Sequence, residues 1–286
     1  MGSLRMDVVG SVPASDVYDP QIRRVDVSGS TLRIASAGSG PPLLMINGIG
    51  ATVEMWRPLA ARLSRSRSLV MFDAPGAGWS PAAQRPLRMS GLARMLVELL
   101  DELDLAQVDV LGYSWGGALA QQLARDAPSR VRRLVLAATS PGLGSQPPSP
   151  VVLTMMASSL RFASKSYLNL VAPFIYGGDA RRPDARQRTM MDSWMTKPPT
   201  RRGYTHQLYA ISTWSSLPWL RAVTAPTLVI QGDDDPLVPI RNGRMIMQRL
   251  PNARLHLAVG GGHLWLLERP DDGADLVNRF LTRSGS

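Results

Sequence analysis

Leu111-Gly112-Tyr113-Ser114-Trp115-Gly116-Gly117 decides how the rest of the chain is read. Ahead of it runs Val108-Asp109-Val110-Leu111, a short apolar-rich strand. Behind it runs Ala118-Leu119-Ala120-Gln121-Gln122-Leu123-Ala124, a strong helix former with Leu119 and Leu123 one turn apart. Gly112-Tyr113-Ser114-Trp115-Gly116 therefore fits G-x-S-x-G at a strand-to-helix junction, the setting of a nucleophile elbow. So sharp a turn forces the serine into strained backbone geometry and leaves no room for a Cβ two residues to either side. The hydroxyl is then held out at the C-terminal edge of a sheet, on a helix N-terminus whose free N–H groups can stabilise an oxyanion. A glycine-rich turn with a helix-capping serine would satisfy the same five residues, so the pattern needs partners elsewhere in the chain.

Composition narrows the class. With 286 residues, 44% hydrophobic and 19% charged, the chain can build one large α/β domain or two small ones around a sizeable core. Cysteine is absent, which excludes disulfides, thiol nucleophiles and cysteine metal sites. No apolar run approaches membrane-spanning length, and Met1 to Pro20 lacks the basic-then-apolar layout of a signal peptide. The expectation is a cytoplasmic protein with no transmembrane segment. The net charge of +10 comes almost wholly from arginine, the lysines being Lys165 and Lys197. The arginines are scattered and no nucleic-acid-binding module accompanies them, so a solvated surface is expected and no nucleic-acid partner. Attraction to an anionic surface stays open.

Taken in order, Met1 to about Pro20 reads as a poorly ordered tail (residues 1–20). Arg24-Val25-Asp26-Val27 and Thr31-Leu32-Arg33-Ile34 alternate like a hairpin around Gly29. Leu43-Leu44-Met45-Ile46 is a continuous apolar run, typical of a strand buried on both faces, and ends in Asn47-Gly48-Ile49-Gly50. A helical stretch to about Leu63 and the strand Ser68 to Phe72 follow, then a helix over Met89 to Leu103, the elbow, and the strand Arg133 to Ala137. From Thr139 to about Pro218 the rhythm breaks into apolar helical stretches carrying Met155, Met156, Tyr167, Trp194 and Trp214. It resumes with the strand Pro226 to Ile230, a helix near Asn242 to Leu250, the strand Arg254 to Leu257 and a closing helix, Ala274 to Leu281. Strands alternating with helices predict a doubly wound, mostly parallel sheet with ligands at the strand C-terminal ends. Residues 21–139 and 219–286 form its core, and 140–218 a helical cap inserted after the sixth strand.

A serine hydroxyl needs a base, and the base an orienting acid. His256 alternates with leucines in a strand and His206 lies in the cap; His263, in Gly260-Gly261-Gly262-His263, hangs in a loop just past the last strand. The acid candidates are Asp233, Asp234 and Asp235, in a turn directly after an apolar strand; no companion cluster supports a metal there. The turn alone leaves open which of the three is the acid. The oxyanion donors are expected from Trp115 N–H and from Ile49 N–H, between Gly48 and Gly50. No metal and no cofactor is called for.

The region from about Arg24 to Leu281 resembles the α/β-hydrolase superfamily, whose triad runs Ser, Asp, His as Ser114, Asp235 and His263 do here. Within it the chain is similar to intracellular poly(3-hydroxyalkanoate) depolymerases acting on medium-chain-length polyester. The resemblance rests on Asn47-Gly48-Ile49-Gly50-Ala51, Ser114-Trp115-Gly116-Gly117-Ala118, Ile175-Tyr176-Gly177-Gly178, Gly232-Asp233-Asp234-Asp235-Pro236-Leu237 and Gly262-His263-Leu264. It implies ester hydrolysis of hydroxyacyl chains through an acyl-enzyme, with Ser114 as nucleophile, Asp235 as orienter and His263 as base. Asn47, Gly48, Tyr113, Tyr176 and Trp214 are the expected substrate contacts, an ester or polyester the substrate, and a polyester granule surface a candidate partner. Tyr113 is bulkier than the small residue expected before the serine, and Trp79 sits in a loop that is usually small; both are expected near the pocket. Two alternatives stay open. One is a lactonase or carbon–carbon bond hydrolase on a small aromatic-degradation acid, for which Arg161, Arg201 or Arg202 would supply a cation. The other is a non-catalytic binding protein on the same scaffold.

Overall fold

The structure, a computed structural model, describes residues 18–157, 159–184, 188, 191 and 196–283. Residues 1–17 of the expected tail, and Trp194 of the cap, lie outside them. Tyr18, read from sequence as tail, is half-buried and packs on the core, its hydroxyl 3.7 Å from Met71 Sδ.

Eight strands form a single sheet in the order β1-β2-β4-β3-β5-β6-β7-β8. Strands β1 (Gln21–Val27) and β2 (Ser30–Ala37) form an antiparallel hairpin, and β2 pairs antiparallel with β4 (Ser68–Phe72). Ser28 and Gly29 turn the hairpin with φ of 50° and 69°, the two positive values that a two-residue turn needs to match strand twist. All other pairings are parallel, through β3 (Pro42–Ile46), β5 (Val108–Tyr113), β6 (Val131–Ala137), β7 (Thr227–Gly232) and β8 (Ala253–Ala258).

The apolar runs of the central strands serve two cores at once, because successive side chains leave a strand on opposite faces. On one face Leu44, Ile46, Val110, Leu134 and Leu136 pack against α2 (Met89–Glu102) and α3 (Trp115–Asp126). On the other, Leu43, Met45, Leu111, Val135 and Ala137 pack against α1 (Arg57–Leu63), α8 (Trp265–Glu268) and α9 (Pro270–Thr282). Helix α9 begins at Pro270, earlier than the apolar periodicity indicates, because proline in the first turn loses no hydrogen bond and Asp271 and Asp272 favour the positive helix end.

Between β6 and β7 the chain leaves the sheet for α4 (Pro150–Ala157), α5 (Lys165–Tyr176) and α6 (Arg201–Ser212); α7 (Ile240–Arg249) follows β7. Gly142 and Ser215 meet in an isolated bridge, so the two ends of this excursion are pinned together above the sheet. Helix α5 sends Leu168, Val171, Ala172 and Ile175 down into the second core. No helix among the described residues is long and apolar enough to cross a membrane.

Helix α3 lies close against the end of β3, and glycine permits the approach. A Cβ on Gly116 would fall 2.2 Å from Ile46 O and 2.5 Å from Asn47 O, both rigid backbone atoms. Gly116→Ala is therefore expected to destabilise the fold by about 1–3 kcal/mol, the usual cost of overpacking. Urea unfolding measures it; an unchanged midpoint would show that α3 does not sit this close.

Candidate active site

Strand β5 ends at Tyr113 and α3 begins at Trp115, leaving Ser114 alone to make the turn. Its φ of 54° and ψ of −118° lie where a residue with a Cβ is strained. Neighbouring backbone over-determines that geometry. Ser114 N–H donates to Ala137 O at 2.9 Å, and Ser114 O accepts Gly117 N–H at 2.9 Å and the Thr139 hydroxyl at 2.7 Å. A Cβ on Gly112 would meet Gly116 O at 2.5 Å, which explains the first glycine of the motif.

His263 reaches Ser114 from the loop after β8, and two tyrosines fix its main chain. His263 N–H donates to Tyr176 O at 2.6 Å, and the Tyr113 hydroxyl donates to His263 O at 2.7 Å. The Tyr176 ring stacks on the imidazole, 6.2 Å between centroids and 16° from parallel. So held, His263 Nε2 lies 3.1 Å from Ser114 Oγ and Nδ1 lies 2.8 Å from Asp235 Oδ2. A proton on Nδ1 satisfies the carboxylate and leaves the Nε2 lone pair facing the hydroxyl.

The three adjacent aspartates have three different jobs. Asp235 is fully buried; its Oδ1 accepts Leu237 N–H at 2.9 Å and Val238 N–H at 2.8 Å, while Oδ2 accepts Gln231 Nε2 at 3.1 Å besides the imidazole. Asp233 accepts Gly260 N–H at 2.7 Å and so braces the loop that leads to His263. Asp234 accepts Gly178 N–H at 2.8 Å and pairs with Arg181 at 2.7 Å, tying the turn to the cap. The Arg181 hydrogen bonds hold the Asp234 carboxyl below its ordinary range.

Loop 47–50 runs beside the serine: a Cβ on Gly48 would lie 3.3 Å from the Tyr113 ring and 3.6 Å from Ser114 Cβ. Trp115, the first residue of α3, has an N–H that precedes the helical ladder. Gly48, Ile49, Ala51, Tyr113, Ser114, Tyr176 and His263 all line one cavity, together with Met156, Arg161 and Phe162 from the cap. Met55, Leu237 and Leu264 complete the lining. These three carry no chemistry of their own, and their only signal in the sequence is closeness to a motif.

Three expected positions are elsewhere. Asn47 is buried with Nδ2 donating to Phe72 O at 3.1 Å and Oδ1 accepting the Trp56 indole N–H, so it fastens the ends of β3 and β4 and does not face the cavity. Trp214 packs in the opposite core, edge-on to Trp219 at 6.0 Å, its indole N–H donating to Gln122 Oε1 at 2.7 Å. Trp79 lies outside as well, under the Arg33 guanidinium at 4.3 Å. A tryptophan needs a large apolar wall and one acceptor, and both the core and a surface arginine supply these as well as a pocket does.

A family model described as the alpha/beta hydrolase fold matches residues 41–270. The chain belongs to the α/β-hydrolase family, a family of hydrolytic enzymes, and the sequence resemblance is borne out. Over 262 residues it is 42% identical to the poly(3-hydroxyalkanoate) depolymerase of Ectopseudomonas oleovorans, covering 91% of this chain and 92% of that one. It is 29% identical over 278 residues to the 2-hydroxymuconate semialdehyde hydrolase of Pseudomonas sp. strain CF600, covering 93% and 95%. Among solved structures, the enol-lactonase of Burkholderia xenovorans LB400 superposes with a TM-score of 0.79 at 25% identity, covering 91% of this chain and 100% of that one.

Asn replacement at each aspartate separates the roles. Asp235→Asn is expected to lower kcat at least about a thousandfold, since the amide cannot hold Nδ1–H toward itself in the same way. Asp233→Asn and Asp234→Asn should each cost less than about tenfold; equal losses in the three kinetic assays would contradict the geometry. A pH test concerns Glu268, at the end of α8 just past His263. Burial, and then the Asp179 charge, push its carboxyl from 4.5 up to about 8, against the opposing pull of Arg269. The fold therefore favours the protonated acid, a stabilisation full below pH 4.5 and lost as pH rises through about 8. Glu268→Gln should melt like the parent at pH 5 and at a higher temperature than the parent at pH 8.5; parallel melting curves at both pH values would contradict this.

Proposed function

We propose that the chain is a serine carboxylic-ester hydrolase acting on hydroxyalkanoate polyester or its oligomers. The observation that carries the chemistry is the unbroken line Ser114 Oγ, His263 and Asp235, opening into a cavity walled mainly by apolar side chains. Ser114 Oγ adds to the ester carbonyl carbon while its proton passes to His263 Nε2. The carbonyl oxygen, now an alkoxide, is met by the N–H groups of Ile49 and Trp115. Collapse breaks the carbon–oxygen bond to the alcohol, which leaves with the proton from Nε2, and an acyl-Ser114 ester remains. Water then adds with its proton going to Nε2; Oγ departs, recovers that proton, and the hydroxyacid is released. Asp235 holds the imidazole and stabilises its charged form in both halves.

The substrate class is supported by the 42% identical depolymerase and by the walls of the cavity. Met55, Met156, Phe162, Leu237 and Leu264 suit a flexible aliphatic side chain, because methionine adapts its shape and no polar group there would lose hydration without return. Exposed Leu153, Leu170 and Phe174 on the outer side of the cap suit contact with a polyester granule. A cytoplasmic location accords with that substrate. Arg161 favours a second reading. Its guanidinium is buried in the same cavity wall as Ser114, beside the Tyr204 hydroxyl at 2.9 Å, where a small carboxylated substrate of the lactonase or carbon–carbon hydrolase kind would want a cation.

A graded series of 4-nitrophenyl esters separates the two. Each buried methylene contributes up to ~0.8 kcal/mol, so kcat/KM should rise from acetate to medium-length acyl groups. Oligomers with medium-length side chains should then be cleaved faster than short-side-chain ones. A steady decline from acetate upward, or a preference for a carboxylated lactone that Arg161→Met abolishes, would replace the depolymerase by the second reading.

A further inference from the structure

Gln207, on α6 of the cap, is buried and touches both elements that carry the proposed oxyanion donors. Its side-chain Oε1 accepts Gly50 N–H at 2.8 Å, in the peptide directly after Ile49. Its main-chain carbonyl accepts the Trp115 indole N–H at 3.0 Å. Both bonds are shielded from water, where a competing solvent molecule cannot take them over. The helix that holds Gln207 is itself seated on backbone. Gly203 packs on Gly76 so closely that a Cβ on either would fall within 2.4 Å of the other's Cα, and Thr200 N–H donates to Gly76 O at 3.0 Å.

The amide is also fixed in one orientation at a cost. Gln207 Nε2 is buried with no hydrogen-bond partner among the described residues, a state worth about 1–3 kcal/mol of destabilisation. Turning the amide over would set its NH₂ against Gly50 N–H, donor against donor, and take Oε1 away from the N–H it accepts. Gly50 therefore dictates which way the amide points. Gly50 has a φ of 70°, a conformation that glycine adopts without strain, and fixing its N–H fixes the peptide plane that ends the turn around Ile49.

We propose that Gln207 is a positioning residue supplied by the cap: it clamps the 49–50 peptide and the Trp115 side chain, and so aims the two oxyanion N–H groups. This rests on the serine-hydrolase reading above. A misaimed donor costs little while the carbonyl is neutral and much once its oxygen carries charge, so the clamp acts on the transition state and leaves substrate binding alone. Charge stabilisation then depends on α6 being seated.

Gln207→Leu removes Oε1 and keeps the main-chain carbonyl that holds Trp115. Its kcat should fall about ten- to a hundredfold with KM within about twofold of the parent, less than the loss of a whole oxyanion donor. A trifluoromethyl ketone, which adds to the serine hydroxyl to give a bound alkoxide, should lose affinity by the same factor. The corresponding secondary alcohol, which forms no oxyanion, should bind as before. Parent-like kcat, or equal weakening of ketone and alcohol, would overturn the clamp. Gln207→Glu guards against a misfolded leucine variant, since it keeps shape and acceptor but sets a carboxylate beside the oxyanion site. Its kcat relative to the parent should fall as pH rises through the carboxyl titration, at constant KM; a ratio flat with pH would overturn the proposal. Ser114→Ala, assayed alongside, keeps the two claims apart: activity surviving there removes the serine mechanism, whereas parent-like kcat in Gln207→Leu with an inactive Ser114→Ala removes the clamp alone.

Discussion

Ser114 stands with φ at 54°, a backbone conformation that costs energy in any residue with a Cβ, and the fold is built to hold it there. The neighbouring parallel strand β6 grips the turn, since Ser114 N–H is bound by Ala137 O of β6 while Thr139, just past β6, binds its carbonyl. Glycines at 112, 116 and 117 let α3 descend onto the ends of β3 and β5, where a side chain would strike Ile46 O, Gly116 O or Thr139. The close approach and the strain are one constraint. Release the packing and the serine relaxes; restore a side chain and the packing is lost.

The remaining groups arrive from separate loops, so each needs its own anchor. Asp235 is anchored by two backbone N–H groups and Gln231, and His263 by the main chain of Tyr176 and the hydroxyl of Tyr113. The cap shares in this. Tyr176 closes α5, Arg181 holds Asp234, and Gln207 of α6 holds Gly50. A cap fastened at three points to three loops is more than a lid over an apolar cavity, because its seating also fixes where those loops lie.

Most of this architecture was legible from the residues. Parallel strands buried on both faces read as continuous apolar runs, and Leu43 to Ile46 or Leu134 to Ala137 allowed little else. Ser114, His263 and the turn Asp233 to Asp235 could be picked out because each follows a strand. Asp235 was singled out within its turn by resemblance to the superfamily, and the structure brings Ser114, His263 and Asp235 within hydrogen-bonding reach. What failed was the choice of pocket residues from type alone. Asn47 sits in the right loop, yet its side chain turns back to bind Phe72 O, because a buried strand end leaves a carbonyl that must be satisfied. Trp214 and Trp79 are large aromatics in variable segments, and their partners, Gln122 and Arg33, are 92 and 46 residues away in the chain, beyond the reach of local pattern. Gln207 carried no signal at all, since a glutamine on a helix is ordinary until Gly50, 157 residues earlier, is seen against it.

The central claim is an acyl-enzyme on Ser114, and mass spectrometry of acid-quenched protein tests it most directly. Mixed with a medium-chain 4-nitrophenyl ester and quenched during turnover, the protein should gain the mass of one acyl group. Digestion should place that mass on the peptide containing Ser114, and Ser114→Ala should carry none and release no nitrophenol above background. Turnover by the parent protein with the acyl group on another residue, or full turnover by Ser114→Ala, would contradict the account.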